Sequence, residues 1–128
     1  MKRRAVLICL FSLACLGVSG WAPAATNHTY PVTVTIKVLD RAKHQIGGQV
    51  QSDAPAYFCS QANVQVHRVE PGRDPTIAVV STAYSYPDWR VKLPRQQGER
   101  VYGKVVKYNL PSRPITCLAA RSRAIRVP

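Results

Sequence analysis

Short runs in which hydrophobic and polar residues alternate recur along most of the chain. The clearest covers residues 32–39, where Val32, Val34, Ile36 and Val38 occupy every second position. A period of two, rich in β-branched side chains, is typical of a strand with one buried face. The pattern therefore predicts a strand over residues 32–39 that points its valines and isoleucine toward a core.

The same pattern recurs down the chain, with turns rich in Gly, Pro, Asn and Asp between the runs. Further strands are predicted over residues 45–51, 63–69, 76–82, 89–93, 100–108, 115–119 and 123–127. Gly47-Gly48 indicates a bulge or a close approach of two backbones. Parallel sheets need crossover helices, and no useful amphipathic helix is visible. We therefore expect an all-β fold, an antiparallel Greek-key β-sandwich of seven or eight strands with Trp89 in its core.

The first residues have the order of an export signal. Three cations at positions 2–4 precede an apolar run over residues 5–18, and the small-residue motif Ala22-Pro23-Ala24 follows. This order is that of a cleavable secretory signal, so residues 1–24 are predicted to be removed. We expect the mature protein to be secreted or periplasmic.

Two alternatives to the cleaved signal stay open. A permanent membrane anchor would need roughly 20 apolar residues, more than the run over residues 5–18 supplies. The segment from Ser12 to Cys15 loosely resembles a lipobox, although Ser12 stands where Leu is usual. A form that is lipid-anchored through Cys15 is therefore the second alternative.

What remains after residue 24 is long enough for one domain. We expect a flexible leader over residues 25–31, a β-sandwich over residues 32–128, and a monomer. The formal net charge of the whole chain is +12. Removal of the three signal cations leaves +9, so the mature domain is strongly basic. Its regular Val, Ile and Leu runs argue against disorder.

The cysteine count supports the same compartment. Cys9 and Cys15 lie in the apolar run of the signal, which leaves Cys59 and Cys117 in the mature chain. Two cysteines outside the cytoplasm usually pair, so a Cys59–Cys117 disulfide is predicted, with two free thiols as the alternative. Two thiols without a third ligand do not make a zinc site.

The strand and turn positions resemble a known class of secreted domain. The chain is similar, over about residues 32–127, to bacterial carboxypeptidase-regulatory-like and transthyretin-like (prealbumin-like) sandwiches with an Ig-type arrangement. The positions that carry this resemblance are Gly48-x-Val50, Cys59, Val64-x-Val66-x-Arg68, Pro71-Gly72-x-Asp74, Thr82, Trp89-x-Val91-x-Leu93-Pro94, Val101-Tyr102-Gly103-x-Val105 and Cys117-x-x-Ala120-x-Ser122-x-x-Ile125-x-Val127. The resemblance implies a non-enzymatic module. Where such domains usually have a tight turn before the tryptophan strand, this chain has two tyrosines.

No motif for catalysis is visible, and we expect neither an enzyme, nor a cofactor, nor a metal site. The histidines, His28, His44 and His67, are expected to be exposed to solvent. A triad of Asp40, His44 and a serine is a remote alternative, because no nucleophile signature accompanies it. The acids Glu70 and Asp74 flank a turn and are expected to cap it or to pair with a nearby arginine such as Arg73, rather than to hold a cation.

The basic surface and one loop are the best candidates for binding. Tyr84 and Tyr86 lie in the predicted loop over residues 84–88. The cations at outward strand positions are Lys37, Arg90, Lys92, Lys104 and Arg126, with Arg121 and Arg123 nearby. If their strands are neighbours, these cations line one face and attract polyanions.

These surfaces predict an exported module that binds a protein partner or an anionic envelope polymer such as an acidic polysaccharide. Outside the cytoplasm, nucleic acid is the least expected polyanion. The alternative is a secreted inhibitor of a hydrolase that inserts the loop over residues 84–88.

Overall fold

The alternating pattern produces strands throughout the domain. The computed structural model describes residues 26–82, 87–94 and 98–127. Twelve strands lie within these ranges: β1 (His28–Tyr30), β2 (Val32–Val34), β3 (Lys37–Asp40), β4 (Gln45–Ser52), β5 (Asn63–Arg68), β6 (Thr76–Ser81), β7 (Asp88–Lys92), β8 (Arg100–Val105), β9 (Tyr108–Asn109), β10 (Ile115–Cys117), β11 (Ala120–Arg121) and β12 (Ile125–Arg126). A single 3₁₀ turn covers Pro55–Tyr57. The described ranges contain no helix with the length and apolar character that crossing a membrane requires.

The first sheet is antiparallel and is built around β8. Its order is β11-β8-β5-β6. β11 pairs with the end of β8, and β12 pairs with the beginning of β8. Because β-strand side chains alternate between faces, one face of this sheet presents Val64 and Val66 from β5 and Val101 and Val105 from β8. The side chains of all four are at most 1 % exposed to solvent.

The second sheet places β4 between β7 on one side and β2 and β3 on the other. The segment predicted as one strand over residues 32–39 forms two strands, β2 and β3. Both pair with β4 in the same register up to Val38, but the regular backbone pairing is interrupted between them. There the Thr35 N–H donates to Gln49 O (2.9 Å), and the Thr35 hydroxyl accepts from the Gln49 N–H (2.9 Å).

The interruption explains the glycine beside it. The carbonyl of Thr35 turns over Gly48, and a Cβ at Gly48 would collide with that carbonyl oxygen. The predicted close approach of two backbones at Gly47-Gly48 is therefore confirmed.

The two sheets pack face to face over one core. Trp89 of β7 is 2 % exposed and lies among valines and isoleucines from both sheets. A Cβ added to Gly103 of β8 would lie 3.2 Å from the Trp89 indole and from the Val34 side chain. The small residue therefore makes room for the large one. The fold is an all-β sandwich, as predicted, with Trp89 between the sheets.

A third, smaller sheet closes one end of the domain. Its order is β1-β10-β9. Cys117 of β10 forms a disulfide with Cys59, with their Cα atoms 5.4 Å apart. The predicted pairing of these cysteines is confirmed. They pack with Ala54 and Ile115 in a second hydrophobic cluster, and Val32 and Tyr108 pack against both this cluster and the core.

The start of the chain differs from its expected flexible leader. Residues His28–Tyr30 form β1, which pairs in parallel with β10. The His28 N–H donates to Pro114 O (2.8 Å), and the Leu118 N–H donates to Tyr30 O (3.0 Å). These bonds join backbones and need no hydrophobic alternation. Among the described strands, β1 and β10 pair in parallel and all other pairs are antiparallel. The connection between β1 and β10 that a parallel pair requires is nearly the whole domain.

The division into strands is finer than the sequence predicts. The expected strand over residues 100–108 ends at Val105, where β8 leaves its sheet, and Tyr108 then begins β9 in the third sheet. The expected strand over residues 123–127 contributes only β12, because the register with β8 shifts by one residue between β11 and β12.

Candidate functional site

A stack of three side chains lies on the outer face of the first sheet. Strand β8 runs between β11 and β5, so Tyr102 has Arg121 on one side and His67 on the other. The His67 and Tyr102 rings are parallel to within 9°, with centroids 5.2 Å apart. The Arg121 guanidinium carbon lies 3.6 Å from the Tyr102 ring centroid. Tyr102 is therefore only 5 % exposed although it points away from the core.

The Asp74 carboxylate fixes the end of this stack. Tyr102 Oη donates to Asp74 Oδ2 (2.9 Å), and the Glu70 N–H donates to Asp74 Oδ1 (3.0 Å). The Glu70 backbone bond, and then the Tyr102 bond, lower the pKa of Asp74, and Arg121 and His67 add smaller favourable fields. Burial, and then the bond to Asp74, raise the pKa of Tyr102. The cluster is thus an ionised carboxylate held by a neutral phenol.

These bonds also show the part that the acids of the turn play. Asp74 closes the turn, as expected, while Glu70 pairs with Arg68. The described residues contain no group of three acids, histidines or cysteines that could hold a metal ion.

The histidines differ from the expectation that all three are exposed. His67 is 8 % exposed. Its Nδ1 lies 3.2 Å from Asp74 O and its Nε2 lies 3.1 Å from Gln65 Oε1. The polar face of β5 is covered by the turn that carries Asp74, which the alternation of β5 alone does not reveal.

Asp40 and His44, the residues of the alternative triad, have separate surroundings in the structure. Asp40 Oδ1 accepts a hydrogen bond from the Lys43 N–H (3.0 Å). His44 Nδ1 is buried without a hydrogen-bond partner among the described residues. His44 also has a φ of 52°, in the left-handed region, because it ends the turn between β3 and β4.

Arg121 of the stack and three further cations form two pairs that face each other across neighbouring strands. Arg126 of β12 faces Arg100 of β8, and Arg121 of β11 faces Lys104 of β8. Lys104 is half-buried and the other three are exposed. The ion pairs found among the described residues involve none of the four. We call this set, Arg100, Lys104, Arg121 and Arg126, the cationic face.

The other three cations predicted at outward strand positions lie on the opposite sheet. Lys37 of β3 and Arg90 of β7 both face Gly47 of β4, and Lys92 faces the neutral Gln45. Asp88 lies on the same strand as Arg90 and accepts a hydrogen bond from Gln49 (3.0 Å). The candidate residues Lys104 and Arg126 therefore share one face, whereas Lys37, Arg90 and Lys92 belong to the opposite sheet.

The candidate loop tyrosines are outside the described residues. Tyr84 and Tyr86 belong to residues 83–86, between the described ranges. The inhibitor hypothesis, which depends on that loop, stays a prediction.

Sequence reasoning named Lys104, Arg126 and Arg121 but missed Arg100 and the stack around Tyr102. The alternation Arg100-x-Tyr102-x-Lys104 is the signal that marks these three side chains as one face. The contact of Asp74 with Tyr102 joins positions 28 apart in the chain. A residue pattern within one strand cannot show such a contact.

No related protein adds information about this site. Comparisons with protein-family models, with curated proteins and with solved structures gave no match to this chain.

Proposed function

We propose that this chain is an exported, non-enzymatic β-sandwich module that binds an anionic envelope polymer through its cationic face. The observation that carries the proposal is the strand register, which sets Arg126 opposite Arg100 and Arg121 opposite Lys104. Export is supported by the Cys59–Cys117 disulfide, which is typical of oxidising compartments.

Like charges that face each other across strands destabilise a sheet. A surface of spread charges would keep the protein soluble without this cost. Two such pairs on adjoining strands instead concentrate positive potential on one face. A bound polyanion would neutralise them, and the excess of positive charge would speed its association.

The spacing of the pairs suits an extended ligand. Arg100 and Lys104 are four residues apart on β8, which corresponds to about 13 Å along the strand. A polymer with repeated negative charges can contact both pairs at once, whereas a small anion can contact only one.

Retention of the mature protein on a polyanionic polysaccharide resin tests the proposal. We expect elution to require added salt, because screening weakens exposed charge contacts. The double variant Arg100→Gln/Arg126→Gln should elute at clearly lower salt. The matched variant Arg90→Gln/Lys92→Gln loses the same charge from the opposite sheet and should elute close to wild type. Equal shifts in both variants would show only a net-charge effect, and no retention at low salt would reject the proposal.

The export part has its own test. Mass spectrometry of protein recovered from the envelope fraction should give a chain that begins at Ala25. A mass that instead corresponds to a lipidated chain beginning at Cys15 would establish the anchored alternative, and a full-length cytoplasmic chain would contradict export.

A further inference from the structure

A polar cleft adjoins the cationic face on the side of β5 and β6. The turn over residues 70–75 rises beside the sheet, and Gly72 within it has a φ of +90°. The space between turn and strands has a volume of about 600 Å³, and it is open to solvent. Its walls carry His67, Arg73, Asp74, Thr76, Tyr102 and Lys104.

The groups in this cleft offer both hydrogen-bond acceptors and positive charge. Each oxygen of Asp74 already accepts one hydrogen bond, from Glu70 or from Tyr102. A carboxylate oxygen can accept about two, so each keeps capacity for one more. The Thr76 hydroxyl, whose Oγ1 lies 3.5 Å from His67 Nδ1, can donate one hydrogen bond and accept two. Lys104 has an ammonium group that is in no ion pair among the described residues.

The Asp74 carboxylate lies at the edge of the cationic face and restricts which anionic ligands can bind there. It repels an anion that carries acceptors alone, such as polyphosphate. It is favourable for a ligand that brings hydroxyl donors next to its negative charge, because charged acceptors form the stronger hydrogen bonds. Sugar units with an acidic group have both features.

We infer that the cleft between the turn over residues 70–75 and strand β8 binds a uronic-acid unit of an acidic polysaccharide, with sugar hydroxyls on Asp74 and Thr76 and the sugar carboxylate on Lys104. This inference rests on the proposed function, since it names the class of polymer that the cationic face binds. Tyr102 contributes by position rather than by stacking on the sugar, because Arg121 and His67 already cover its two ring faces.

Lys104 connects the cleft to the cationic face. Its side chain lines the cleft and also faces Arg121 across β8 and β11. A chain of uronate units that places one unit in the cleft can therefore continue over Arg121 toward Arg100 and Arg126.

Titrations with polygalacturonate and with polyphosphate of matched charge test the inference. We expect the wild-type protein to bind polygalacturonate more tightly. Asp74→Asn should weaken polygalacturonate binding about tenfold, as loss of a charged hydrogen bond of about 1.4 kcal/mol gives. The same substitution should strengthen polyphosphate binding, because it removes a repulsive charge.

Thr76→Val provides a second variant that leaves the turn's own bonds to Asp74 in place. It should weaken polygalacturonate binding and leave polyphosphate binding unchanged. Circular dichroism of both variants checks that they are folded.

The outcomes separate the two proposals. If neither polymer binds the wild-type protein at low salt, the proposed function fails. If both bind equally and Asp74→Asn strengthens both, the cationic face stands and the uronate site is wrong. If Asp74→Asn unfolds the protein, Thr76→Val decides: equal binding of polygalacturonate by Thr76→Val and wild type overturns the inference.

Discussion

The opposed arginines of β8 and β12 permit a test in which binding and stability should change in opposite directions. Arg126→Glu replaces a like-charge cross-strand pair with Arg100 by an opposite-charge pair at the same register position. Cross-strand charge pairs contribute roughly 0.2–1 kcal/mol, favourable or unfavourable according to sign. Removing the repulsion and adding an attraction should therefore stabilise the fold by about 1 kcal/mol. The long hydrogen bond from Arg126 to Gly98 O (3.4 Å) is lost, which reduces the gain slightly.

The gain is large enough to measure by thermal unfolding. For a domain of roughly this size, 1 kcal/mol shifts Tm by about 4–8 °C. We expect Tm of the mature Arg126→Glu variant to rise by several degrees at an ionic strength of about 0.01 M. Most of that rise should disappear at about 1 M salt, where the screening length is roughly 3 Å.

Lys92→Glu is the matched control. It changes the net charge by the same amount, but its cross-strand neighbour on β4 is the neutral Gln45. Its Tm should rise less than that of Arg126→Glu. If the two variants have equal Tm values at low salt, or if Arg126→Glu is destabilised, the opposed arginines are not in repulsive contact and the reasoning is refuted.

Three further predictions concern the supports of the fold and of the site. The double variant Cys59→Ser/Cys117→Ser should lose about 4 kcal/mol of unfolding free energy in urea titrations, since the bridge closes a loop of 58 positions. Thiols that react in the denatured, unreduced mature protein would contradict the bridge. Gly48→Ala should lose about 1–3 kcal/mol in the same assay, because its Cβ meets a backbone carbonyl, and wild-type stability would contradict that contact. The lowered pKa of Asp74 makes its stabilising contribution complete above about pH 4 and lost as the pH falls further. Tyr102→Phe removes one cause of that lowering and should make unfolding less sensitive to pH between about 5 and 2; an unchanged pH profile would show that the phenol does not stabilise the carboxylate.

The parts of the fold that the sequence predicted are those set by side-chain burial. Val34 and Ile36 alternate in the chain, and both are buried in the structure. Trp89 is the largest apolar side chain in its strand and fills the core. The disulfide followed from the count of cysteines outside the predicted signal. In each case one property of a residue, its apolar surface or its thiol, decides its environment.

The parts that the sequence did not predict depend on backbone pairing or on distant contacts. β1 is held by backbone hydrogen bonds to the β10 region, and its side chains carry no hydrophobic alternation that marks it as a strand. His67 is covered by the turn that carries Asp74, which lies seven positions further along the chain. The division of the cations between the two sheets required the strand order, because alternation says which residues point outward but not which strands are neighbours.

The central claim is that polyanions bind at the cationic face, and mapping the contact by NMR tests it most directly. Isotope-labelled mature protein would be titrated with short polygalacturonate fragments at low salt. We expect saturable amide shift changes concentrated at Arg100, Lys104, Arg121 and Arg126, which reverse when salt is added. Shift changes concentrated at Arg90 and its neighbours on the opposite sheet, or changes that never saturate, would contradict the account.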